Sequence, residues 1–574
     1  VSVAESRKSW LGAFSDWLDR GVVFISERLN PILVKETRQA LKSRQFIATF
    51  MLILIASWLV SVFGLVWAGP GVEHQVLGPR FFTSFYVVLS LAIFIVVPFG
   101  AFRSLLSERD QQTYEVLSIS TLKPRQIVWG KLLSALVQLF IYYSALTPFL
   151  AFTSLLRGID VPTIAYLLVL SLLCSLGLSM ITLTISTIAG QRHWQALLTL
   201  LVLGGLLMAC MYSITATAYS VNRSLPFNTR EFWLSTGVML SYYVAYFLLL
   251  LQIAIAQLTF EADNRSTGVR LASAGIGVMS LVWLLLVLYV DHSAPTTTIS
   301  PGTLRDSQYG SLTRFLALHW AAIGLFFVSE ADLLSRRVRR TLPRRRIWRA
   351  VLAPLLPGGA RGFGFVLMNL VGAWLVLLLS YTAFNHKAPW GSTIGAVLYT
   401  LCQDVRAALA GEMGSYPIFL TGTFCYVLVY LGIAAVLGRW GRNLSSDFRP
   451  AHARVITVLI AAVAAVLPHF LSLSNQFNSP AAYPFQAVIF IADPFHTLES
   501  LDRGTADYWM ILFVLGIAAL LATLLNATAV LRNFSQILFN PQPVPGPEPA
   551  LSPVPPVPAP VEAGQPESQL SSSS

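Results

Sequence analysis

Twelve long apolar runs, separated by polar stretches, dominate the hydropathy pattern of this chain. They fall near residues 46–68, 81–102, 132–156, 163–189, 195–219 and 236–258, then near 272–290, 312–328, 362–384, 416–438, 455–474 and 508–531. A helix crosses a bilayer with roughly 20 apolar residues, a length these runs meet or approach. The eighth is the shortest and contains His319. Only helices and closed barrels satisfy their backbone groups in lipid. The pattern therefore predicts an all-α polytopic membrane protein with about twelve transmembrane helices.

The ends of the chain read differently. Trp10, Leu11, Phe14, Trp17 and Leu18 recur at helical spacing among polar residues, which predicts a helix lying in the headgroup region. A second such helix is expected to start at Pro31, a favourable first helical position, carrying Lys35, Arg38, Lys42 and Arg44 towards the membrane. From Pro541 onward prolines alternate with small residues and no Lys or Arg appears, predicting a disordered tail with polyproline II character. The chain thus divides into interfacial and connecting helices (1–45), a first six-span unit (46–258), a second six-span region (259–531) and a Pro-rich tail (532–574).

Charge gives these segments sides. With the N-terminus placed inside, 30 Lys and Arg fall in inner segments and 9 in outer ones. This is the positive-inside pattern, and it predicts a multi-pass protein of the cell inner (plasma) membrane with both termini cytosolic. The first long run is of full span length, so no cleavable signal peptide is expected. The inner segments include 103–131, of mixed charge, and 329–361, which holds nine arginines. Two outer segments exceed a simple turn: 385–415, with an amphipathic stretch from Val405 to Met413, and 475–507, with an apolar patch from Phe485 to Ile491.

Composition narrows the classes. Of 574 residues, 55% are hydrophobic and only 11% charged, with a mean hydropathy of +0.65, too apolar for a soluble fold. The net charge of +12 lies in short loops beside spans, so anionic lipid headgroups rather than nucleic acid are its expected partners. Cys174, Cys210, Cys402 and Cys425 are far apart, predicting neither a disulfide framework nor a metal site. No cofactor motif or catalytic constellation is present. The one Gly-Lys pair, Gly130-Lys131, has Arg125 where a phosphate loop needs its first glycine and Leu132 where it needs Ser or Thr. Nor do the twelve runs contain any Asp or Glu, which a carrier driven by protons or sodium ordinarily needs at membrane depth. His319 and His469 are the ionisable residues placed within the bilayer, expected to bond a neighbouring helix, while Arg314 sits at the very start of its run.

Two segments carry a resemblance. ERDQQTYEVLSISTLKPRQIVWGK, from Glu108, places Glu108-Arg109, Thr113, Val116-Leu117, Pro124 and Gly130-Lys131 at the spacing of a cytosolic signature. NPILVKETRQALKSR, Asn30 to Arg44, precedes the first span. The first is similar to the loop between the second and third spans in permease subunits of ATP-binding-cassette transporters of the second, exporter-like class. The other resembles that family's amphipathic connecting helix. Gln112 stands where the family usually has glycine, and residues 259–474 match no family motif. Residues 492–504, ADPFHTLESLDRG, are similar to the outer segment before a permease's last span.

The resemblance implies a permease with no enzymatic activity of its own, driven by a separate ATPase subunit. Coupling would fall to Glu108, Arg109, Thr113, Tyr114, Glu115, Leu117, Pro124, Gly130 and Lys131, and the connecting helix to Asn30, Pro31, Lys35, Glu36 and Arg38. The residues suit a docking role, since Tyr114, Leu117 and Ile119 offer apolar bulk amid mixed charge. Because one coupling segment is recognisable, a homodimer, or a heterodimer with a related permease, is expected. Two alternatives stay open, an ion-coupled secondary carrier and a non-transporting membrane scaffold.

Overall fold

The computed structural model describes residues 30–69, 76–110, 123–188, 192–223, 225–260, 262–293, 301–332, 334–385, 415–445, 447–472, 490–503 and 508–539. Among the described residues every regular element is helical, and twelve helices are long and apolar enough to cross a membrane. The chain is a multi-pass helical membrane protein. The expected helix around Trp10, the Val405–Met413 stretch and the tail from residue 540 onward lie outside the described residues; residues 532–539, assigned to the tail, are instead the last turns of a helix that ends at Phe539.

Helix α1, Pro31–Leu41, precedes α2, Arg44–Ala68. The Asn30 and Ser43 side chains cap them, accepting from the backbone N–H of Ile32 and Phe46 at 3.1 Å each. The second crossing, α3, runs Gly78–Ser90, passes through a π-helical turn at Leu91–Val96 and continues over Val97–Asp110. Pro98 cannot donate to the carbonyl one turn back, which locates this irregularity. Then come α4 (Pro124–Leu155), α5 (Val161–Ile188), α6 (Arg192–Asn222) and α7 (Arg230–Leu258). Helix α5 presents buried Ser171, Ser175 and Ser179 to α3, small residues that permit close approach. Its Ser175 and Thr182 hydroxyls donate to the carbonyls of Ile93 and Pro98, satisfying backbone beside the π turn.

The second half comprises α8 (Thr267–Ser293), α9 (Pro301–Val328), two short helices α10 (Arg336–Arg340) and α11 (Arg346–Leu352), and α12 (Gly359–Asn385). It closes with α13 (Ser415–Leu444), α14 (Pro450–Ser472), the short α15 (Pro494–Arg503) and α16 (Tyr508–Phe539). The short eighth run is thus part of a 28-residue helix. Within it His319 bonds the Tyr246 hydroxyl and the Ser273 carbonyl, both on other helices, at 3.2 Å. His469 bonds Asp493 Oδ2, at 2.9 Å, just before α15.

The two halves share an order of neighbours that the residue pattern did not announce. Helices α3, α4, α5 and α7 pack on one another as α9, α12, α13 and α16 do, with α2 and α8 each flanking the corresponding pair. Helix α6 sits on α5 as α14 sits on α13, though only α6 also runs along α3. The halves meet where α7 lies against α8, tied by Trp283 Nε1 donating to Ser241 Oγ at 2.8 Å.

Candidate functional site

The two segments that carried the resemblance, far apart in sequence, come together at one end of the first half. Helix α1 lies across the start of α4, and Gly130 makes that crossing possible: a Cβ there would stand 2.8 Å from Ile32 Cβ. Asn30 Nδ2 donates to the Gln126 carbonyl beside it. Ile32 then seals against Leu105, Ile127, Val128 and Leu132, joining α1, α3 and α4 in one apolar cluster.

An ionic clamp sits beside that cluster. Lys131 Nζ is 2.9 Å from Glu36 Oε1 on α1 and 3.1 Å from Glu108 Oε1 at the end of α3, with Ser104 Oγ at 3.3 Å. The Lys131 side chain is 1% exposed, those of Glu36 and Glu108 13% and 12%. A buried ammonium needs its charge and its donors matched, and two carboxylates and a hydroxyl do this. Lys35 adds a looser contact to Glu108 Oε1 at 3.8 Å from the solvent side. Next to the clamp opens a cavity of about 350 Å³ between α1 and the adjoining ends of α2, α3 and α4, lined by Arg103, Gln138 and Tyr142 among others.

The structure therefore brings together Asn30, Glu36, Glu108, Gly130 and Lys131, with Pro31 and Pro124 as first residues of α1 and α4. Arg38 is exposed in the last turn of α1 and takes no part in the clamp. Thr113, Tyr114, Glu115 and Leu117 lie outside the described residues, as does the side chain of Arg109. Much of what the hydropathy pattern assigns to the 103–131 loop is helix: α3 continues to Asp110 and α4 begins at Pro124.

A second ionic cluster, which residue patterns did not reveal, occupies the corresponding place in the other half. Arg270, fully buried at the start of α8, donates through Nη2 to Glu330 Oε2 at 2.7 Å. Its remaining bonds go to the carbonyls of Pro354, Leu356 and Gly358 at 2.8, 2.7 and 3.0 Å. Asp332 Oδ1 accepts from the Ala360 N–H at 2.8 Å, and the Arg361 guanidinium donates to the carbonyl of Pro357. Gly358 adopts φ +140°, a conformation open to glycine, and its N–H donates to Glu330 Oε2 at 2.9 Å. An acidic group closing one crossing and a basic group near the start of the next thus recur: Glu108 with Lys131, and Glu330 and Asp332 beside Arg361. The available signal was a charge at each end of these runs, which reads as an ordinary membrane anchor.

At the opposite end, Asp493 caps α15 by accepting from the Phe495 N–H at 2.9 Å, and Tyr426 donates to the Ile491 carbonyl at 2.6 Å. The Tyr426 bond, with Tyr430 donating to the Ala492 carbonyl at 3.2 Å, holds the start of the 492–504 segment on α13. Among the described residues no group of His, Cys, Asp and Glu could hold a metal ion. Comparison with protein-family models, curated proteins and solved structures finds no match to the chain.

Proposed function

We propose that this chain is the membrane-spanning permease of an exporter-like ATP-binding-cassette transporter, working with a separate ATPase subunit. The observation that supports the reading is the Glu36–Lys131–Glu108 clamp, which joins the connecting-helix segment to both helices that flank the coupling segment. A push on residues 111–122 would reach α3 and α4 directly, and α1 through buried charge and the Ile32–Gly130 contact. Tightly packed helices move as units, so force at one end repositions the crossings rather than being absorbed locally. The carrier alternative draws support from the repeated neighbour order. It lacks a driving group: no described carboxylate lies in the middle of a membrane-length helix.

The test is association. Full-length chain extracted gently from its native membrane should bring with it a soluble ATPase containing a phosphate loop, and returning the pair to lipid should make its ATP hydrolysis depend on the chain. Recovery of the intact chain with no ATPase, before and after chemical crosslinking, would refute the reading.

A further inference from the structure

Between α9 and α12 the second half carries a segment at the place that 103–131 takes between α3 and α4, but it is built to a different end. Residues 334–358 contain eight arginines and no Asp or Glu. The acidic residues just before them are already engaged, Glu330 with Arg270 and Asp332 with the start of α12. A helix that inserts into a protein cleft must keep its apolar side chains free, and α10 does not. Its Val338 is 2% exposed, packed with Ala353, Leu356 and Ile537 against the far end of α16. Buried Arg349 fastens α11 to the same end, donating to the Arg344 carbonyl at 2.7 Å and, at 3.5 Å, to the carbonyls of Ile537 and Leu538. Cations suit the carbonyl end of a helix.

What remains outward is a cationic pad with an apolar fringe. Arg344, Arg345 and Arg346 are exposed, and directly beyond them Ile347, Trp348 and Val351 are 77%, 57% and 56% exposed. Arginines beside a tryptophan and two aliphatic residues, at the end of a membrane-spanning bundle, match the chemistry of an anionic headgroup layer. We propose that the α10–α11 pad binds anionic phospholipids of the adjoining leaflet, guanidinium groups on phosphates and Trp348 at the acyl boundary. The two halves would then use equivalent segments differently, one for a protein and one for the membrane surface.

The test uses the full-length protein in nanodiscs containing equal phosphatidylglycerol and phosphatidylcholine, each supplied in turn as a headgroup-photoreactive analogue. Labelling of peptides spanning 336–351 should come from phosphatidylglycerol and fall in high salt. Each arginine near an anionic surface contributes about fivefold, so Arg344→Gln, Arg345→Gln and Arg346→Gln together should cut labelling about a hundredfold. Trp348→Ala should weaken it without changing its salt dependence. Equal labelling by both lipids, or labelling of the wild type insensitive to salt, overturns the proposal even if the triple variant fails to fold. Capture of a soluble protein at Trp348 in native membranes, in place of lipid, assigns the pad to a protein partner and overturns it too.

Discussion

Replacing Lys131 by Met removes the single cation that holds two carboxylates together. Glu36 and Glu108 both bond its ammonium, at 2.9 and 3.1 Å, in a site where each is only about one-eighth exposed. Breaking a buried pair costs about 3–5 kcal/mol, and limited water access to the two carboxylates lowers this to about 2–4 kcal/mol. Because each 1.4 kcal/mol is tenfold, α1 should detach about 30 to 700 times more often. Amide hydrogen exchange along Pro31–Leu41 reads that opening directly, since helix amides exchange when the segment undocks. Exchange in α13, which lies in the other half, should change little. Adding Glu36→Gln and Glu108→Gln to Lys131→Met removes the stranded charges and should restore most of the protection. Exchange in α1 within threefold of wild type for Lys131→Met alone, or a triple variant no slower than the single one, would show that the clamp does not hold α1 in place.

Gly130→Val should loosen α1 with no change of charge, because its Cβ cannot coexist with Ile32 in place, and the same exchange measurement should show it. Arg270→Met takes the cation from Glu330, which keeps its bonds from Ser266 and the Gly358 N–H, and the donor from three carbonyls; with Glu330 25% exposed the loss is about 2–3 kcal/mol. It should lower the thermal midpoint of the detergent-solubilised protein, and an unchanged midpoint would contradict the role given to this cluster. Arg344→Cys should react with an impermeant maleimide in inside-out vesicles and not in intact cells; the reverse result would invert the orientation.

The crossings were legible because each must bury some 30 Å of hydrocarbon contact, which leaves long apolar runs. Their true ends were not, because polar residues continue the helices beyond the lipid: α3 to Asp110, α16 to Phe539, and α9 back to Pro301. The repeated neighbour order was hidden for a related reason. Lipid-facing positions accept any apolar residue, so two halves can keep one packing and lose all likeness in sequence. At the clamp, Glu108, Gly130 and Lys131 were visible as a motif and Asn30 and Glu36 as another. That the two motifs meet depends on a crossing of α1 over α4 that no local pattern encodes. Arg270 and Glu330 were missed on the same account: 60 residues separate partners that lie 2.7 Å apart.

The permease reading stands or falls on whether residues 111–122 dock an ATPase. A photoreactive amino acid at Tyr114 or Glu115 of the full chain, irradiated in native membranes, interrogates that contact. A crosslinked soluble ATPase with a phosphate loop is expected at both positions, lost when ATPase is stripped from the membrane. Efficient photolysis at both positions with no ATPase captured, while the chain remains folded in the membrane, would contradict the permease reading.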